Sequence, residues 1–337
     1  MKITGVRWSL GIALIVLASF TSMQAQNNSS SGLLLVANQG DHSLSILDPD
    51  AGKMVGKVVS NEIRGHEVIA SPDGKLAYLP IYGDSGVGVP GTDGRNIEII
   101  DIAKKTIIAT IDLGRPVRPH CVKVGSDGLL YVTAELDKSL YIVDPKTQKV
   151  IATLPTGQPE SHMFVFSKDG KRAYTSNVGV GTVSVLDVSG RKTVAVIPVA
   201  DVAQRISISN DDRYVFTADQ RRARLMVIET SQNKVTKWID LPAVGYGTAP
   251  TPDGKSLLVT IPGAGKVAVV DLAEMKVVHT LDVPAHPVEI LMRADQPVAY
   301  VSCSGDGKVA VIDTKQWSVK KTIDSGPGAD GLAWAKN

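Results

Sequence analysis

The sequence predicts an all-β, seven-bladed β-propeller of four-stranded blades, and three observations predict it. An apolar triplet ending in an acid recurs as ILD, IID, IVD, VLD, VIE, VVD and VID, with the acids at Asp48, Asp101, Asp144, Asp187, Glu229, Asp271 and Asp313. Successive acids stand 53, 43, 43, 42, 42 and 42 residues apart, a period that belongs to stacked or radial repeats. Each period holds β-rich runs broken by Gly, Pro, Asp and Asn without helical periodicity, which is four short strands in about 42 residues. The second observation is a hairpin marker at constant phase: SPDG (71–74), GSDG (125–128), SKDG (167–170), SNDD (209–212) and TPDG (251–254), with a degenerate RADQ (293–296). Such Asp-Gly turns join the first strand of a blade to the second. The third is the phase of the ends. The repeats begin at Leu33 on a second strand (LLLVAN) and finish on GLAWAKN (331–337), which reads as the missing first strand. A C-terminal first strand joining the N-terminal blade closes the ring and removes exposed sheet edges.

Ahead of the repeats, Lys2 and Arg7 precede an apolar run from Trp8 to Phe20, and Thr21-Ser22-Met23-Gln24 leads to a small residue, Ala25. This order reads as a secretory signal over residues 1–25, and the run falls short of the roughly 20 residues that span a bilayer. Residues 26–32 are Ser/Asn-rich and read as a flexible leader, which leaves 33–337 as a single propeller domain. The expected location is periplasmic or secreted. Without Lys2 and Arg7, 34 basic residues face 34 acidic ones, so the formal charge of +2 belongs to the signal. The 31 Gly and 18 Pro with only 5% aromatics suit many turns and short strands. Two cysteines, Cys121 and Cys303, cannot make a disulfide framework.

The repeat itself has a familiar form. YVTAELDKSLYIVDPKTQKVIATLPTG (131–157), AYTSNVGVGTVSVLDV (173–188) and AYVSCSGDGKVAVIDT (299–314) resemble the repeat of the YVTN-type, YncE-like β-propellers. The resemblance covers nearly all of the chain after the leader. It implies the propeller and says little of activity, because members of one fold do different things.

The most visible constellation, the seven acids, is expected to be structural, since an Asp at a hairpin corner accepts backbone hydrogen bonds. A second constellation is more informative. Seven residues before the Asp of each Asp-Gly-type turn (the second Asp, Asp212, in SNDD) stand His66, His120, His162, Arg205, Tyr246 and Val288, and Asp330 holds the matching place on the closing strand. This is where each innermost strand begins, beside the central channel. The loops between second and third strands fall on the same face and carry His42, Glu135, Asp219, Arg221, Arg222 and Cys303, while His286 directly precedes an inner strand. Five of the six histidines thus map to one face, with Arg64 and Arg118 flanking it; His279 does not, lying on an outer strand.

Three readings of this face stand side by side. The polar residues are simply solvated. Or His66, His120, His162, Arg205, Tyr246 and Asp330 bind a small anionic ligand. Or His66, His120 and His162 converge on Zn²⁺ or Cu²⁺, with Glu67 or Asp330 as an oxygen ligand, in a metal-dependent enzyme. Blade 2 adds about ten residues in the Gly-rich loop YGDSGVGVPGTDGR (82–95), either a lid on the same face or a tolerated drift. Cys121, adjacent to His120 on a strand, points to the opposite side and reads as a packing residue. The zero net charge after the signal and the scarcity of aromatics argue against nucleic acid. Trp238 and Trp317 are expected on outer strands. The reading that follows is an exported binding or scaffold module for a small anionic ligand or protein partner, with the metal-dependent enzyme and a lactonase-like hydrolase as alternatives.

Overall fold

The computed structural model describes residues 1, 2, 5, 32–84 and 86–336. Nearly all of the expected signal and of the expected leader therefore lies outside the described residues. Seven four-stranded antiparallel sheets stand around a common axis. Blade 3 shows the pattern: inner strand Pro119–Val124, then Leu130–Ala134, Ser139–Asp144 and outer strand Lys149–Pro155. The inner strands of blades 4 to 7 are Ser161–Phe166, Ser207–Ile208, Thr248–Pro250 and Pro287–Met292, and that of blade 2 is only Ile69–Ala70. Blade 1 draws its inner strand, Ala329–Lys336, from the C-terminus. It pairs antiparallel with Gly32–Asn38, setting Leu34 opposite Trp334 and Val36 opposite Leu332. No helix of the described residues is long and apolar enough to cross a membrane.

Burial follows the strand order. Second and third strands are covered on both faces by neighbouring blades, so Leu34, Leu35, Leu44, Ile46 and Leu47 are fully buried. Removing each such side chain from water contributes about 1.5–3 kcal/mol. Outer strands alternate instead, as in the exposed Ile108 and buried Ile111, the signature of a sheet with one wet face.

Six of the seven acids have the expected structural role, accepting backbone hydrogen bonds at the corner, whereas Glu229 accepts from the side chains of Ser231 and Gln232. Oδ1 of Asp48 accepts from the N–H of Asp50 and Ala51 at 3.0 and 2.9 Å, and Asp271 and Asp313 do the same for the two or three residues after them. Four residues past the acid the backbone turns left-handed in every blade: Gly52, Lys105, Gln148, Arg191, Asn233, Met275 and Trp317 have φ between 50° and 66°. Only blade 1 places glycine there. Trp317 thus sits in this turn, one residue before its outer strand Ser318–Asp324, rather than on the strand as the sequence suggested, because the turn geometry claims that position.

The left-handed turns yield a prediction. Gln148 is exposed at φ 58°, and a side chain costs roughly 1 kcal/mol or more in that region. Gln148→Gly should therefore raise stability by about 0.5–1 kcal/mol in urea denaturation. A neutral or destabilising result would show that the turn is not strained.

Candidate functional site

At the axial end of blades 3 to 7 a second-strand hydroxyl bonds inner-strand backbone groups. The register slips between Pro119 and Val122 and between Ser161 and Met163. In blade 3 the Thr133 hydroxyl accepts from Cys121 N–H at 2.9 Å and donates to the carbonyl of His162, in the next blade, at 2.9 Å. Thr260 likewise binds Gly247 N–H and the Val288 carbonyl across the blade boundary. Ser176 reaches the carbonyls of Met163 and of Gln204 in blade 5. These hooks satisfy backbone groups that the slipped ladder leaves open. The slip sets the histidines of blades 3 and 4 toward the channel.

The six expected site residues do gather, but in two groups. His66, His120 and His162 pack around Tyr82, with ring centroids 5.2 Å apart for His66–His120 and 3.6 Å for His120–His162. Tyr82, fully buried, lies 4.6 Å from His66 and 5.3 Å from His120. Its hydroxyl donates to Glu135 Oε2 at 2.8 Å, and Glu135 Oε1 meets Nδ1 of His162. With that proton on Nδ1, Nε2 of His162 accepts from the Gln204 amide at 3.1 Å. Both nitrogens of His162 are therefore engaged. By contrast His66 Nε2 and His120 Nδ1 are buried without a partner. Burial, with the charge of Arg205 nearby and that of Arg64 beside His66, holds both imidazoles well below their usual range, so they are neutral.

The second group is ionic. Arg205, almost fully buried, places Nη1 2.6 Å from Glu67 and Nη2 2.6 Å from Asp330, with Glu289 at 3.7 Å. Gln39 donates to the other oxygen of Asp330, and the guanidinium lies 5.4 Å from the Tyr246 ring centre. Burial alone would weaken the guanidinium, but Glu67, Asp330 and Glu289 outweigh it and hold it charged. Burial also raises Glu67 well above the carboxylate range and raises Glu289, since a single guanidinium faces three carboxyls. Burial lifts the Tyr246 hydroxyl to about 12.

This cluster divides the channel. On the mouth side a cavity of about 370 Å³ is lined by Gln39, Tyr246, His286, Ser304 and Asp330. On the far side a cavity of about 440 Å³ touches Glu67, Arg205 and Glu289. The loop over residues 82–95 closes over the histidine side. Arg64 donates to the carbonyls of Gly83 and Asp84. Arg118 pairs with Asp93 and donates to the carbonyls of Gly86 and Val89, the latter at 2.7 Å.

Among the described residues no group of three or more His, Cys, Asp or Glu is arranged to hold a metal ion. A tetrahedral site asks its nitrogens to converge at about 2 Å from one point, whereas His120 stacks on His162. Both cysteines are free and buried, and burial lifts the Cys121 thiol to about 11, as suits a packing residue. Tyr82, Glu289 and the Ser/Thr hooks escaped the sequence reading. The hooks had a signal, the hydroxyl that ends YVT, YTS, LVT and YVS. Glu289 had none, because it sits one place beyond the aligned Val288.

No protein-family model matches the chain, and neither does any curated protein. Solved structures do. The chain is similar to Kuenenia stuttgartiensis hydrazine synthase at 18% identity and TM-score 0.71, over 88% of this chain and 99% of that one. It is also similar to dihydro-heme d1 dehydrogenase NirN in complex with DHE, at 20% identity and TM-score 0.63, over 89% of this chain and 65% of that one. At these identities the likeness establishes the propeller alone.

Two predictions follow from the ion cluster and the imidazoles. Arg205→Met should cost about 3–5 kcal/mol by leaving buried carboxylates unpaired, whereas Glu67→Gln, which keeps the side-chain shape and leaves Asp330 and Glu289 on the guanidinium, should cost clearly less. Equal losses in urea denaturation would refute the assignment. The neutral imidazoles contribute fully above their ordinary pKa of 6.5, and the contribution falls as pH drops below it toward their depressed folded values. The stability gap between wild type and His120→Gln should therefore narrow from pH 8 to pH 5, and a constant gap would contradict it.

Proposed function

We propose that the chain is an exported binding or scaffold propeller, whose histidine- and arginine-lined mouth takes a small anionic ligand or an acidic segment of a protein partner. One observation carries this reading. Arg64 and Arg118 direct their guanidinium donors at backbone carbonyls of the 82–95 loop. Arg118 also lies over the ring of Tyr82, which packs against His66 and His120, and His66 Nε2 and His120 Nδ1 have no partner. The loop carbonyls occupy the position of a ligand's anionic oxygens, the guanidinium being a donor fork suited to carboxylate or phosphate. The rings of His66, His120 and His162 pack against Tyr82 and one another, so binding among them requires the loop to move. The cavity beside Tyr246 and Asp330 is open already.

The metal-dependent alternative draws on the same two nitrogens: Zn²⁺ or Cu²⁺ held by His66 and His120 once the loop moves. Nothing beyond shared architecture supports the lactonase-like alternative. The YVTN-type kinship belongs with this proposal, resting on the repeat motifs quoted above.

A thermal-shift series tests the reading with phosphate, sulfate and citrate, on the full chain and on a variant with residues 84–93 replaced by a short Gly-Ser linker. A ligand at a hundred times its Kd stabilises by about 2.7 kcal/mol. Stabilisation is expected to be larger in the shortened variant and lost in Arg118→Gln. If no anion stabilises the shortened variant, the anionic reading fails; stoichiometric zinc or copper by elemental analysis would favour the metal alternative.

A further inference from the structure

The cavity on the far side of the ion cluster has no part in the mouth. Its volume, about 440 Å³, falls within the range of small-molecule sites. All seven blades line it, and its walls are largely apolar: Val122, Val165, Ile206, Ile290 and Trp334. Its floor is Glu67, Glu289 and Arg205, and Lys123 stands on its wall.

The charges in this space are not matched to each other. Glu289 shares a single guanidinium with Glu67 and Asp330, and holds it only at 3.7 Å. Oε1 of Glu67, itself 4% exposed, accepts no hydrogen bond and has only its ion contact with Arg205. Among the described residues Lys123 makes no ion pair, although its charge acts on both Glu67 and Glu289. Arg205 Nε, also buried, has no partner either. The cavity therefore presents carboxylates short of a cation, a cation short of an anion, and apolar walls between them.

We propose that this cavity binds a small zwitterion with an apolar body, the simplest case being an α-amino acid with a hydrophobic side chain. The ammonium completes Glu67 and Glu289. The carboxylate meets Lys123, with Arg205 Nε as a further donor. The side chain lies against the Val and Ile walls. Because the ammonium and carboxylate share one carbon, such a ligand bridges charges that stand too far apart to pair directly.

Calorimetric titration of the full chain with L-leucine tests this, beside leucinamide, which lacks the carboxylate, and 4-methylpentanoate, which lacks the ammonium. Leucine should bind saturably, and each analogue about tenfold or more weakly, as the loss of a charge-assisted contact implies. Glu289→Gln should weaken leucine similarly. Lys123→Met should weaken leucine but leave leucinamide unchanged, a pattern that general loss of folding does not produce. Arg118→Gln, at the mouth, should leave leucine binding intact, so that failure of the mouth reading and failure of this one are separable. The proposal is overturned if leucine gives no saturable heat at millimolar concentration, if 4-methylpentanoate binds as well as leucine, or if Lys123→Met affects leucine and leucinamide alike. Should Glu289→Gln prove unfolded by circular dichroism, the Lys123 comparison alone decides.

Discussion

The guanidinium of Arg205 is the constraint around which the axis is organised. It joins Glu67 of blade 2, Glu289 of blade 7 and Asp330 of the closing strand from a position in blade 5. A buried charge of this kind is tolerated only if partners surround it. Four blades must therefore stand at the right distance for any one of these groups to be satisfied. The cluster also divides the channel into two spaces, one on the mouth side and one beyond. A ring of hydrophobic sheets alone would give neither division.

Around that centre the polar residues are held by local devices. The slipped ladders of blades 3 and 4 set His120 and His162 toward the channel, and Thr133 and Ser176 repair the backbone they disturb. Because these hydroxyls also bind the next blade, the placing of each histidine depends on its neighbour's strand. Tyr82 then fills the space between the rings and ties them through Glu135. The 82–95 loop is thus an extension of the histidine group as much as a cover for it.

Fold and site were not equally legible in the sequence. Acids at constant spacing and Asp-Gly turns encode local geometry, so seven blades and the closing strand could be counted before any coordinates. The common phase of His66, His120, His162, Arg205, Tyr246 and Asp330 also placed these residues on one face. Phase along a strand does not say which side chains meet across a ring. The stacking of His120 on His162, the capture of Arg205 by Glu289, and the placement of Tyr82 depend on slipped registers and on contacts between distant blades. Trp317 shows the same limit at smaller scale, since a hydrophobic residue next to a strand was taken into it although the turn required its backbone.

The closing strand also bears on how the ring is made. Leu34 and Trp334 face each other across one sheet, so during synthesis an apolar strand waits for a partner made some three hundred positions later. Until then Leu33 to Val36 present an open edge, the kind of surface that chaperones hold and that proteases and aggregates exploit. Any chain truncated before Ala329 keeps that edge permanently. The clasp thereby ties the first blade to the strand Ala329–Lys336: a product without that strand keeps an unpaired edge, whatever the quality of its other six blades.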